Sequence, residues 1–92
     1  MIRMFVRHEV SDFATWKRVY DDFQKTEAAA VVRAEAIFCG AESAEDVTVW
    51  HDFDDLATAR DFVTSSELRQ AMQSAGVVGE PQIWFAMREL PG

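Results

Sequence analysis

Two histidines, one tyrosine and one cysteine are the side chains here best suited to proton transfer or nucleophilic chemistry. His8 and His51 each lie toward the C-terminal end of a strand-like run, on the same side-chain parity as the apolar residues that helices would cover. An imidazole titrates near neutrality and can take or give a proton, so the pair is the candidate catalytic set. The competing expectation is two hydrogen-bonded strand-end residues. Tyr20 adds a hydroxyl that can orient a carbonyl, within an aromatic series of Trp16, Tyr20 and Phe23 at spacings of four and three. That series is either plain core or a flat apolar wall for a ligand. Cys39 precedes Gly40 with no basic residue beside it in sequence, so it is expected to be a small buried apolar residue rather than a nucleophile. His8, His51 and a carboxylate such as Asp12 or Asp52 could make a two-His, one-carboxylate metal set. Their spacing matches no ligand motif, and no metal is expected. Phosphate-binding glycine loops, G-x-S-x-G and C-x-x-C are all missing from the sequence.

The elements that must position these residues follow from apolar periodicity. Residues 2–9 alternate as a strand, with Ile2, Met4, Val6 and His8 on one face and Arg3, Phe5, Arg7 and Glu9 on the other. Ser11 or Asp12 caps a helix carrying Phe13, Trp16, Tyr20 and Phe23 on one stripe. That helix is expected to fray near Thr26 or to continue through Ala28, Ala29 and Ala30. Residues 31–39 read as a second strand, with Val32, Ala34, Ala36 and Phe38 toward the helices and Arg33, Glu35 and Ile37 away. Residues 47–53 read as a third, with Val47, Val49, His51 and Phe53 inward. Asp54 or Asp55 caps a second helix built on Leu56, Ala59, Phe62 and Val63. Ser65-Ser66 breaks it, and Leu68 and Met72 continue the stripe to a Gly76 terminator. Residues 82–90 form the last strand, with Ile83, Phe85 and Met87 inward.

The order β-α-β-β-α-β predicts one α+β domain over residues 1–92, a ferredoxin-like antiparallel sheet with helices on one face. The first and third strands are expected to be central, adjacent and parallel, which would make His8 and His51 neighbours at one end. A second, mixed face carries Phe5, Arg7, Arg33, Ile37, Trp50, Trp84 and Arg88. It is too apolar for water, and aromatics with Arg are what protein interfaces enrich. A homodimer through this face, anchored by Phe5, Trp50 and Trp84, is therefore expected, with Arg paired to Glu35 or Glu9.

Composition narrows the partners. The 92 residues carry a net charge of −7, 49% hydrophobic content, three Trp and seven Phe. The acidic balance argues against nucleic acid and against an anionic membrane surface. A lone cysteine permits no intrachain disulfide. Without a signal-like or membrane-length apolar run, a cytoplasmic protein is expected.

Three stretches then carry a family resemblance: RHEVSDFATW at residues 7–16, DDLATARDF at 54–62, and SELRQAM at 66–72 followed by AGV at 75–77. With the element order, they make the chain resemble the dimeric α+β barrel superfamily, and within it the antibiotic-biosynthesis-monooxygenase-like group. The resemblance implies a ligand site between sheet and helices, lined by Trp16, Tyr20, Phe62, Met72 and Phe85 and opening near His8 and His51. It implies a small enzyme working without a bound cofactor on an apolar aromatic or polyketide-like molecule, as a monooxygenase or a cyclase. A non-catalytic binding or assembly module of the same fold is the alternative. The haem-degrading branch relies on an Asn that this chain lacks altogether, and neither histidine falls on a predicted helix.

Overall fold

The computed structural model describes residues 1–89. Leu90, placed at the end of the last strand by the sequence pattern, lies outside the described residues. The elements run β1 (Ile2–Val10), α1 (Phe13–Gln24), a 3-10 turn (Glu27–Val31), β2 (Ala34–Cys39), β3 (Asp46–Phe53), α2 (Leu56–Val63), α3 (Ser66–Ser74) and β4 (Val77–Met87). The four strands form one antiparallel sheet in the order β2-β3-β1-β4, the ferredoxin-like arrangement.

Local chemistry sets most boundaries. Asp12 accepts a hydrogen bond from the Thr15 N–H and starts α1, and Asp55 does the same for α2 through Thr58. Ser65 ends the run of α2 and caps α3 through the Leu68 N–H. Each satisfies an otherwise orphan donor of a first helical turn. α1 stops at Gln24, and the alanine run that follows is taken up in the 3-10 turn, which buries Ala29 and shortens β2 to Ala34–Cys39. β4 begins five residues earlier than its apolar alternation suggests. It accommodates Pro81 because it is an edge strand with an irregularity opposite Arg7–Glu9.

Two patches of buried side chains join helices to sheet. Met4, Val6 and Phe53 meet Phe23, Ala29, Ala59 and Phe62 in one. Val10, Val47 and Val49 meet Trp16 and Ala75 in the other.

Three sequence expectations are overturned. β1 and β3 are adjacent but antiparallel, so His51 lies opposite Met4 while His8 lies opposite Val47, with the Val6–Val49 pair between them. The two imidazoles are therefore not neighbours at one end of the sheet. The faces of β2 are also reversed. Glu35 pairs with His51 and Ile37 with Val49, which turns both toward the helices, whereas Ala36 and Phe38 pair with Trp50 and Thr48 on the open face. Val32, Ala34, Ala36 and Phe38 are all apolar whereas Arg33 and Glu35 are charged, so alternation favours the opposite face, and pairing with β3 overrides it on this largely exposed edge strand. Finally, Cys39 at the end of an edge strand is exposed, not buried.

On the open face Phe5 stacks on Trp84 with ring centroids 5.3 Å apart, and the Arg3 guanidinium sits 3.6 Å above the Trp50 ring. Two of the arginines expected to pair across a dimer are paired within the chain: Arg7 grips Asp46 with bonds of 3.1 and 2.8 Å, and Arg33 grips Asp54 with bonds of 3.2 and 2.8 Å. Arg3, on the same face, grips Asp52 with bonds of 2.8 and 3.0 Å.

Gly76 ends α3 at φ +77°, and a Cβ there would lie 2.6 Å from Ser11 Oγ, whose own backbone N–H donates to the Gly76 carbonyl. Gly79 has φ +72°, and a Cβ there would meet nothing within 4 Å. Gly79→Ala and Gly76→Ala should each cost about 1–2 kcal/mol of backbone strain, the Ser11 hydroxyl turning aside from the new Cβ at Gly76. Urea unfolding of both variants checks this, and a loss at Gly76 well above that at Gly79 would show that the Ser11 hydroxyl cannot move.

Candidate functional site

The register of β1 against β3 sends Met4, Val6, His8, Val49 and His51 to the helix side, where α1 and α3 close over them. Between these layers lies a cavity of about 60 Å³. Trp16, Tyr20, Phe62 and Met72 border it together with both imidazoles. Phe85 does not. It sits opposite Met4 on β4 and packs against the first core patch. The wall is mostly apolar, with Val19, Phe23, Leu68, Ala71 and Ile83 completing it beside Gln24.

An aromatic row runs along the cavity. His8 lies 5.6 Å from Trp16, Trp16 stacks on Tyr20 at 5.0 Å, and Tyr20 lies 5.9 Å from His51, all between ring centroids. His51 is further enclosed by Phe62 at 5.7 Å and Phe53 at 6.4 Å. Both histidines are buried.

Their polar atoms are incompletely matched. The Tyr20 hydroxyl donates to Glu35 Oε2 and lies 3.2 Å from His51 Nε2. A phenol has one proton to give and a carboxylate oxygen only accepts, so the contact to His51 requires Nε2–H to donate to the tyrosine oxygen. The network thus assigns His51 the Nε2–H tautomer, with a bare lone pair on Nδ1. His51 Nδ1 and both ring nitrogens of His8 are buried with no partner among the described residues. Leaving such an atom unpaired costs about 1–3 kcal/mol, so three in one cavity demand a reason.

Burial governs the electrostatics. It pushes the His51 imidazole down to about 4, against the opposing pull of Glu35 and Asp52. It lowers His8 as well, opposed by Asp46. The Tyr20 phenol is driven well above its ordinary range by burial first and by its bond to Glu35 second. At neutral pH both imidazoles are therefore uncharged and the tyrosine keeps its proton.

Glu35 is the site residue that sequence reasoning assigned elsewhere, to the open face. No local signal corrects this, because only pairing with β3 decides which way β2 faces. Among the described residues no three of His, Cys, Asp and Glu gather as a metal site would require. No helix among them is long and apolar enough to cross a membrane.

No protein-family model and no curated protein matches the sequence. Solved structures do match in shape. An antibiotic biosynthesis monooxygenase superposes with a TM-score of 0.75 at 11% identity, covering 99% of this chain and 100% of that one. SnoaB, a cofactor-independent oxygenase from Streptomyces nogalater, gives 0.73 at 12% identity, covering 99% and 97%. A conserved protein from Methanosarcina mazei Go1 gives 0.67 at 16% identity, covering 96% and 92%. The structural neighbours are thus antibiotic-biosynthesis-monooxygenase-like proteins, as the sequence resemblance implies, and at these identities they establish a shared ferredoxin-like fold.

The pH dependence of stability follows from His51. Its folded-state value of about 4 lies below the ordinary 6.5, so the unfolded chain binds the proton first. Stability should be flat above pH 6.5 and fall from there toward pH 4, by up to about 3 kcal/mol, with His8 adding in the same direction. The aspartates held below their ordinary value of 3.8, Asp46 and Asp52 among them, begin to matter only at the acid end of this window. Denaturant unfolding at several pH values should show a shallower decline in His51→Gln than in the wild type. Parallel curves would refute the assignment.

Proposed function

We propose that the chain is a small enzyme of the cofactor-independent oxygenase or cyclase type, with His51 as general base for a neutral phenolic or carbon-acid substrate. The observation that carries this reading is the set of three unpaired buried imidazole nitrogens around an apolar, aromatic-lined cavity. A neutral imidazole offers a lone pair at neutral pH and excludes no uncharged ligand. Among the described residues no Lys or Arg borders the cavity, which disfavours an anionic substrate. The fold shared with a cofactor-independent oxygenase adds support of a coarser kind.

In this reading His51 Nδ1 takes a proton from a phenol or from a CH₂ beside a carbonyl. The anion formed stabilises the imidazolium and lifts its basicity, which is otherwise held low by burial. The electron-rich carbon then adds to dioxygen. The peroxide takes the proton back and loses water, so that CH₂ and O₂ become C=O and H₂O. With a poly-ketone the same carbanion closes a ring instead. His8, with one donor and one acceptor, holds the far oxygen of the substrate.

Size sets one requirement. A cavity of about 150 Å³ holds a benzene ring, and this one measures about 60 Å³. A ring therefore enters by displacing a wall. α3 is the wall most easily moved: it contributes Leu68, Ala71 and Met72 and contains no fully buried residue. Unbranched Met72 can change rotamer at small cost.

The same reading makes the protein a homodimer through the open sheet face. Trp84 is 44% exposed and Phe38 54% exposed, beside Phe5 and Trp50, which is more aromatic surface than a small monomer ordinarily shows to water. Trp50→Glu should yield monomer or aggregate in sedimentation, because a carboxylate in a desolvated face costs several kcal/mol, about 3 or more. A wild-type monomer at micromolar concentration would overturn the dimer.

Two probes test the chemistry. 2-Tetralone carries an activated CH₂, and 1-naphthol is a neutral phenol. Deuterium exchange into 2-tetralone should be accelerated by the wild type and fall by about 10²-fold in His51→Gln. Binding of 1-naphthol, read by NMR, should weaken about tenfold in His8→Gln for one lost hydrogen bond. Binding without exchange would replace the enzyme by a binding module, and neither binding nor exchange would overturn both.

A further inference from the structure

We propose that Tyr20 and Glu35 form a proton relay that connects His51, inside the cavity, to bulk water. The inference rests on the reading of His51 as the base and gives that base a second route for its proton, through side chains rather than back through the substrate. The cavity wall is apolar apart from the two histidines, Tyr20 and Gln24, so Tyr20 is the polar side chain placed to carry a proton away from His51.

The geometry provides three groups in order of rising exposure. His51 is 6% exposed, Tyr20 is half-buried, and Glu35 on the edge strand β2 faces solvent. His51 Nε2 lies 3.2 Å from the Tyr20 hydroxyl, and that hydroxyl donates to Glu35 Oε2. The three side chains come from β3, α1 and β2, and the Glu35–His51 pairing of the two strands fixes the ends of the chain. No simple core requirement calls for this arrangement. A buried tyrosine needs one acceptor, which Glu35 already supplies.

The transfer balances without any redox partner. Substrate gives H⁺ to His51 Nδ1. The imidazolium gives its Nε2 proton to the tyrosine oxygen as the tyrosine proton passes to Glu35, which releases it to water. One proton leaves the substrate and one reaches solvent. The hops are concerted, because the environment that keeps Tyr20 protonated forbids a free tyrosinate. The reverse sequence returns a proton to the product anion. Glu35 is thereby a positioning and relay residue that never touches the substrate.

The groups facing His51 are few. Tyr20 comes from α1, Glu35 from β2, Asp52 is its neighbour on β3, and Phe62 of α2, Phe53 and Met4 are apolar. Asp21 adds charge near Tyr20. Other carboxylates should not substitute for Glu35.

The test uses the free protein and so does not depend on whether the chain is an enzyme. Nitrogen-15 NMR of the imidazoles should report the Nε2–H tautomer for His51, and magnetisation transfer from water should give the exchange rate of that proton near pH 7. Glu35→Gln keeps an acceptor for Tyr20 yet cannot carry a proton. It should slow the exchange by on the order of tenfold or more with no change in melting temperature. Tyr20→Phe, a second variant, should slow it at least as much. Glu45→Gln, an exposed carboxylate elsewhere, should leave the rate unchanged. An Nδ1–H tautomer in the wild type, or less than about a tenfold change in Glu35→Gln, overturns the relay. If the relay holds and 2-tetralone exchange is absent, the base reading of His51 fails while the network stands. The opposite pattern leaves the base and removes the relay.

Discussion

The antiparallel pairing of β1 with β3 is the constraint on which the rest of this molecule depends. It places His51 opposite Met4 and His8 opposite Val47, so that the helix-facing surface has an imidazole toward each end and valines between. Every later feature of the cavity inherits this spacing. Trp16 and Tyr20, one helical turn apart on α1, span the interval and touch one histidine each. A parallel pairing would have drawn the imidazoles together and left the aromatic stripe as ordinary core.

The two histidines have different surroundings despite their shared parity. His51 is tied through Tyr20 to a carboxylate at the sheet edge, and its tautomer is fixed by that chain. His8 sits where the β1–β4 pairing shifts register, with neither ring nitrogen bound to another described residue. Irregularities of this kind recur near functional sites because they re-aim one side chain without disturbing the strand. One imidazole is thus held in orientation by Tyr20, and the other has no hydrogen-bond partner among the described residues.

Stability and access are divided between the layers. The sheet and α1 hold the fully buried Met4, Phe53, Val47 and Trp16. α3 holds nothing fully buried and rests on half-covered Leu68, Ala71 and Met72. Elements with few buried apolar contacts open at the lowest free energy, so a wall that moves for a ligand belongs there. The open sheet face is a separate matter. Arg3, Arg7 and Arg33 are each paired within the chain, to Asp52, Asp46 and Asp54, and its aromatic residues remain partly exposed.

Much of this was legible in the sequence. The element order, a cap at Ser11 or Asp12 and another at Asp54 or Asp55, the break at Ser65-Ser66, the glycine stop at Gly76 and the inward sets of β1 and β3 all follow from side-chain chemistry acting within a few residues. The same periodicity placed Trp16, Tyr20, Phe62, Met72 and the two histidines between helices and sheet. Tertiary structure alone decided what lies next to what. It set the direction of β3, the face of β2, and hence the meeting of Glu35 with Tyr20. The physical reason is that β2 is a largely exposed edge strand, so the apolar alternation of Val32, Ala34, Ala36 and Phe38 buries too little to choose its face. The choice is made by hydrogen bonding to β3, whose inward face was already fixed by Val47, Val49 and Phe53, the most deeply buried residues of that strand.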